Sequence, residues 1–247
     1  MTAVLEVAEL CKRDEGFVPV DGVSFSLEEG EMLGIIGPNG AGKSTLFHCL
    51  VGLTAPESGE MRLDGQSIRG LRPSEISRRG IGSASAVPQV YPSLSVRENL
   101  VLAGQERRGS MLGRLFGPSD AGVAGVAERI CVYFRLDAHA ETPAGELRFE
   151  EQRVLDVAMG FVGAPRVVLL DEPTSGIGPA AQRDLAERLR GLNAEDRASF
   201  IVIEHNLEFA LALCTRILVL SEGKIVAEGA PEAVRHDPNV IEAYLGH

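Results

Sequence analysis

The chain has 247 residues, 45% hydrophobic and 24% charged, with a formal net charge of −11. This fits one large globular domain or a core with a subdomain, and it argues against broad nucleic-acid binding, which needs a basic surface, though not against a local basic pocket for a nucleotide. Apolar runs such as Ile217–Leu220 are too short to span a bilayer, MTAVLEVAEL lacks a secretory layout, and four scattered cysteines suggest neither zinc nor disulfides, so a cytosolic location is expected.

The first third reads as strand-rich. VLEVAEL alternates imperfectly, and VSFSLEEGEMLGIIG reads as strand, Glu-Glu-Gly turn, strand. In MRLDGQSI, Asp64-Gly65 between apolar segments predicts a hairpin. A short helix is predicted over 74–79, whereas residues 101–125, rich in glycine, read as a loop or insertion with weak helix. AERICVYFRL has helical apolar spacing, VLDVAMGFVG reads as a buried helix and RVVLLDEP as a buried strand entering a turn. AAQRDLAERLRGL is an amphipathic helix with Leu185, Leu189 and Leu192 on one stripe. SFIVIEH is another buried strand, NLEFALALC a helix, and RILVLSEGKIVAEG a hairpin turning at Glu222-Gly223. Strands alternating with helices predict an α/β fold with a mainly parallel sheet and antiparallel additions on its N-terminal side.

Three segments carry chemistry. GPNGAGKST (Gly37, Pro38, Asn39, Gly40, Ala41, Gly42, Lys43, Ser44, Thr45) lies between an apolar strand and a helix-like run, satisfying G-x-x-x-x-G-K-[ST] in its required context. Its glycines let backbone N–H groups curve around phosphate oxygens, and the helix N-terminus favours the anion. Lys43 would reach the outer phosphates, and the Ser44 hydroxyl would bind Mg²⁺. VVLLDEP delivers two carboxylates at a strand end: Asp171 suits the Mg²⁺ shell and Glu172 can polarise a water for attack on a γ-phosphate. IVIEH places His205 at the strand edge where α/β sheets bind ligands, so a γ-phosphate contact is expected of it.

Together and in this order, the segments resemble the ATP-binding subunits of ABC transporters, over essentially the whole chain. The tail DPNVIEAYLGH and the insertion around 101–125 look most like the branched-chain, or polar, amino-acid importer branch. The resemblance implies a P-loop NTPase core with a mainly parallel sheet (about residues 1–85 and 155–230), an N-terminal antiparallel β subdomain, an inserted helical subdomain (about 90–154) and a C-terminal tail (231–247). It also implies ATP and Mg²⁺ as ligands, head-to-tail pairing with a second ATPase subunit, and transmembrane permease partners at the inner face of the cell membrane. No nucleic-acid partner is implied.

Several positions depart from the family pattern. The signature L-S-G-G-E-Q-R aligns with Leu147, Arg148, Phe149, Glu150, Glu151, Gln152 and Arg153. Phe149 matches the importer branch's aromatic variant. Arg148 replaces a serine that touches the partner's γ-phosphate, and Glu150 replaces a glycine. A carboxylate facing a triphosphate repels it, and losing one positioned donor costs about 3 kcal/mol in a transition state. Asp14 stands where an adenine-stacking aromatic is expected, with Phe17 the nearest substitute. The glutamine-loop position falls on Ala86 without gaps, or on Gln89, a candidate Mg²⁺ ligand, if the loop shifts by three residues. Gly178 stands where the family has Asp or Asn after DEPTSG.

These departures spare the chain's own P-loop, carboxylates and histidine, and fall on the half-site offered to a partner. The resemblance therefore implies one half of an unequal pair. A nucleotide-binding regulatory subunit with little turnover, and an ABC ATPase serving another substrate such as lipid, remain alternatives. A repair ATPase is disfavoured by the acidic charge, and a small-molecule kinase by VVLLDEP followed by IVIEH. From the sequence alone, returning residue 148 to Ser and residue 150 to Gly is expected to raise turnover of the assembled complex, measured as steady phosphate release.

Overall fold

Period-two alternation and fully apolar strands sort the chain into two sheets, seen in a computed structural model that describes residues 3–14, 16–106 and 120–245. The half-buried strands β1 (Ala3–Asp14), β2 (Phe17–Glu28), β4 (Ser58–Leu63) and β5 (Gln66–Ser67) form an antiparallel sheet in the order β2-β1-β4-β5. Asp64 (φ 48°) and Gly65 (φ 73°) make the expected β4–β5 hairpin turn.

The second sheet runs β10-β9-β3-β8-β7-β6, with β3 (Met32–Ile36), β6 (Ile81–Ala84), β7 (Val167–Asp171), β8 (Ser199–Glu204), β9 (Arg216–Ser221) and β10 (Lys224–Gly229). Its pairings are parallel except for the β9–β10 hairpin, which turns at Glu222 (φ 47°) and Gly223 (φ 78°) as expected. Every residue of β3, β7 and β8 is buried, so these strands are covered on both faces.

One face of this sheet, with Leu33, Ile35, Leu169, Ile201 and Leu218, packs on α1 (Lys43–Leu50) and the antiparallel sheet. Ile36, Val168, Leu170, Phe200 and Val202 on the other face pack on α5 (Phe149–Phe161), α6 (Pro179–Asp196) and α7 (Leu207–Leu213). Here α2 is Pro73–Arg79, α3 Val96–Glu106 and α4 Asp120–Tyr133, while α8 (Pro231–Arg235) and α9 (Pro238–Leu245) close the chain. The helices α3, α4 and α5 enter between β6 and β7.

The structure corrects one sequence expectation. Residues 101–106 and 120–125, read as loop with weak helix, belong to α3 and α4; residues 107–119 lie outside the described residues. Burial of Leu100, Val123, Ala127 and Cys131 stabilises these helices despite their glycines, since packing of an apolar face outweighs propensity.

Phe200 is fully buried and meets Phe161 edge-on at 6.3 Å between ring centroids; Phe161 in turn meets Phe134 at 5.9 Å. This column joins the sheet to the inserted helices. Phe200→Ala removes a fully buried ring from this column and is expected to cost about 3–5 kcal/mol, read by chemical denaturation.

Candidate nucleotide site

The P-loop is wedged by backbone from two sides. A Cβ on Gly37 would lie 2.1 Å from the Leu220 carbonyl oxygen, and one on Gly42 (φ 101°) 1.8 Å from that of Pro19, so only glycine fits at either place. The Gly223 N–H donates to the Ala41 carbonyl at 3.0 Å, and the Ala41 N–H to the Pro38 carbonyl at 3.2 Å. Asn39 and Gly40 form the exposed tip. Helix α1 follows with its second residue, Ser44, exposed and Thr45 half-buried; its first turn holds no acidic residue, leaving the N-terminal amides free of an internal counter-charge.

Lys43 is buried, and its ammonium donates to the carbonyls of Gly37 (2.7 Å) and Pro38 (3.0 Å). Burial holds its pKa below the ordinary lysine value, while Glu172, Asp171 and Glu204 push it back up. A cation fixed at the loop's base by carbonyls, with carboxylates beyond it, is placed to meet an anion entering the loop.

Asp171 ends β7 and is buried; its Oδ1 has no hydrogen-bond partner. Burial, then the charges of Glu172 and Glu204, push its pKa up to about 6, against weaker pulls from Lys43 and Arg153. A buried carboxylate oxygen without a donor, among further carboxylates, suits a hard divalent cation. Among the described residues no three side chains of His, Cys, Asp or Glu converge as a ready-made cage. Such an ion would therefore take one or two protein oxygens and complete its shell elsewhere, as Mg²⁺ does with phosphates.

Glu172 adopts a left-handed backbone (φ 46°), fixed by its N–H donating to the Ile203 carbonyl at 2.8 Å. A non-glycine residue there is strained, the kind of outlier found where a side chain is held for function. Its Oε1 stands 3.5 Å from Nδ1 of the half-exposed His205. The structure thus brings His205 and Glu172 together.

Sequence reasoning missed Glu204. It is fully buried at the end of β8, accepting from the Thr174 hydroxyl (2.6 Å), the Thr174 N–H (3.0 Å) and the Asn206 N–H (3.2 Å), and its Oε2 lies 3.9 Å from His205 Nδ1. These donors offset the cost of a buried charge and tie the turn after Glu172 to the strand bearing His205. A charged residue closing the apolar run IVIEH was its signal, eclipsed by the histidine beside it.

Gln89 is half-exposed or more along its segment, and its side-chain amide donates to the Val87 carbonyl at 3.1 Å rather than joining the carboxylates. Its segment is held from α5: the Arg153 guanidinium, buried, donates to the carbonyls of Ser85 (2.5 Å) and Ala86, and Asp156 accepts from the Gln89 N–H at 2.9 Å. Burial lifts the Asp156 pKa to about 6. Phe17 is exposed, paired across β1–β2 with Asp14. In the signature segment, Arg148 precedes α5 and forks onto Glu151 at 2.7 and 3.1 Å, while the Glu150 carboxylate accepts from the Gly178 N–H at 3.0 Å.

A glycine-wedged phosphate loop, two carboxylates ending a neighbouring parallel strand and a histidine ending the strand between them define a P-loop nucleoside triphosphatase. The ABC transporter family profile matches residues 20–175, and that of the branched-chain amino acid ATP-binding cassette transporter matches 224–247. The chain is 34% identical over 250 residues to BraF of Pseudomonas aeruginosa, a high-affinity branched-chain amino acid transport ATP-binding protein, spanning 98% of each. It is 37% identical over 215 residues to the Nod factor export ATP-binding protein I of Paraburkholderia xenovorans, covering 87% of this chain and 67% of that one. It superposes over its whole length on the nucleotide-free and ADP-bound crystal structures of ATP-binding cassettes, the second being MJ1267, with TM-scores of 0.87 at 28% and 29% identity and complete coverage of both. The chain belongs to the ABC transporter family, as one of its ATP-binding ATPase cassettes.

Asp171 generates a pH prediction. Its pKa in the folded chain (about 6) exceeds the unstructured value of 3.8, so folding is penalised once the unfolded carboxyl ionises, fully so above about pH 6. Asp171→Asn should therefore raise the melting temperature of the ligand-free chain at pH 8, with the gain vanishing as pH falls below about 4. Parallel thermal melts of the two proteins check it.

Proposed function

We propose that the chain binds and hydrolyses ATP to power a branched-chain amino-acid importer, paired with a second, non-identical cassette and seated on permease subunits at the inner face of the cell membrane. The observation that carries the chemical part is Glu172 standing 3.5 Å from His205 beside the P-loop strand. Full-length similarity to BraF, together with the match of residues 224–247, supports the transport class. Among the described residues no helix is long and apolar enough to cross a membrane, so attachment would run through partner subunits.

The residues divide the work by position. Backbone amides of 39–45 and the Lys43 ammonium receive the β- and γ-phosphates, Lys43 exchanging the carbonyls of Gly37 and Pro38 for phosphate oxygens. Ser44 and Asp171 would hold Mg²⁺, which neutralises phosphate charge; Gln89 would join them only after its amide leaves Val87. Glu172 takes a proton from the attacking water, and His205 steadies Glu172 and the γ-phosphate.

The second reading, a nucleotide-binding subunit with negligible turnover, draws on the signature segment, where Arg148 and Glu150 are both engaged within the chain. Glu172→Gln separates the two. In the complex assembled with its native partners, this variant is expected to lower ATP turnover at least about 100-fold while nucleotide affinity changes less than about threefold. Tight ATP binding by the unmodified complex, with turnover no higher than that of the variant, would favour the regulatory reading.

A further inference from the structure

Two departures from the family pattern, Glu150 and Gly178, lie against each other. The Gly178 N–H donates to Glu150 Oε1 at 3.0 Å, and a Cβ on residue 178 would stand 3.4 Å from the same oxygen. Glu150 lies in the first turn of α5, and Gly178 is the N-cap of α6, an 18-residue helix with no side-chain cap. Nothing in the Gly178 backbone (φ −73°, ψ 163°) demands glycine, and Asp is a favoured N-cap residue in this conformation. An Asp here would set a second carboxylate beside Glu150, where like charges repel. Two residues earlier the fit is tighter: a Cβ on Gly176 (φ 75°) would lie 2.4 Å from the Phe149 ring, so the turn packs flat on the start of α5.

The turn from 172 to 178 is thus held at three points. Its near end is fixed by the Glu172 N–H on Ile203, its middle by Thr174 on Glu204, and its far end by Gly178 on Glu150. The first two are internal to the strand edge. The third comes from the segment 147–153, on a different element. A strained Glu172 keeps its conformation only while the flanking turn is constrained.

We propose that Glu150 is a positioning residue for Glu172: its carboxylate bridges the N-termini of α5 and α6, takes the place of an acid at 178, and makes the signature segment and the catalytic turn move as one body. The proposal rests on the reading of Glu172 as the general base. Glu150 is then a relocated carboxylate rather than a lesion, and the sequence expectation for position 150 reverses.

The test is a cycle of four proteins in the assembled complex: the unmodified chain, Glu150→Gly, Gly178→Asp, and both together. Each single change is expected to lower kcat about tenfold or more with the KM for ATP within about threefold, because the turn is loosened while the P-loop is untouched. The double change returns kcat to within about threefold of the unmodified complex, since the aspartate introduced at position 178 supplies the one carboxylate from the other side. Glu150→Gln, which keeps the side-chain size and removes the charge, should likewise rescue Gly178→Asp; this pair decides the matter if Glu150→Gly folds poorly. A rise in kcat on Glu150→Gly, singles that multiply independently, or failure of both Gly and Gln at position 150 to rescue Gly178→Asp would overturn the proposal. Thermal unfolding of the same four isolated chains should show the same coupling without any turnover. Coupling there with no ATP hydrolysis by the unmodified complex would sink the ATPase reading and leave the tether standing; no coupling there, with normal hydrolysis, would sink the tether alone.

Discussion

The site depends first on register. Parallel pairing sets Ile36 of β3 opposite Glu204 of β8, and Asp171 of β7 opposite Ile203. The residues that follow these strands, Gly37, His205 and Glu172, therefore emerge side by side at one sheet edge. A one-residue slip in either pairing would exchange the two faces of a strand that is apolar almost throughout. It would also part the buried Glu204 carboxylate from the Thr174 donors that offset its burial. The same edge then collects Lys43, Asp171, Glu172 and Glu204 within electrostatic reach of one another. Three carboxyl groups there share two buried cations, the Lys43 ammonium and the Arg153 guanidinium, a setting that suits an added divalent cation.

The loop that would receive the phosphates is held by backbone contacts as well as by the Lys43 ammonium. Gly37 and Gly42 touch carbonyl oxygens of Leu220 and Pro19, and Ala41 accepts from Gly223. Those partners belong to the β9–β10 hairpin and to β2 of the antiparallel sheet. The two sheets thus meet at the P-loop backbone as well as in their shared core and at the bond from the Asp21 N–H to the Gly223 carbonyl. A change in how β2 sits on the second sheet reaches the phosphate amides directly, while the carboxylates on β7 and β8 feel it only through the strands.

Features governed by local backbone demands were legible in the sequence. Asp64-Gly65 and Glu222-Gly223 need positive φ and declared their hairpins; GPNGAGKST declared both a loop and its contents. VVLLDEP and IVIEH declared buried strands that end in polar groups. What was not legible depends on tertiary contact. The helices over 96–106 and 120–133 carry glycine and weak periodicity, and they hold because apolar residues such as Leu100 and Cys131 share a core with Phe134 and Phe161. Glu204 reads as one more strand residue until Thr174 and Asn206 are seen to donate to it. Arg153 reads only as a signature residue and Asp156 only as part of a buried helix, yet together they clamp residues 85–89 from behind.

The signature segment shows why a motif comparison alone misjudges such residues. Read position by position, Arg148 and Glu150 are losses at a surface meant for another subunit's nucleotide. In three dimensions Arg148 closes a fork on Glu151, and Glu150 crosses 28 residues of sequence to reach Gly178. From the same helix, Arg153 holds the carbonyls of Ser85 and Ala86, so α5 touches both the turn after Glu172 and the segment leading to Gln89. A rotation of α5 cannot leave either of them in place. The helix that carries the signature segment is therefore bolted, within its own subunit, to the turn after Glu172 on one side and to residues 85–89 on the other.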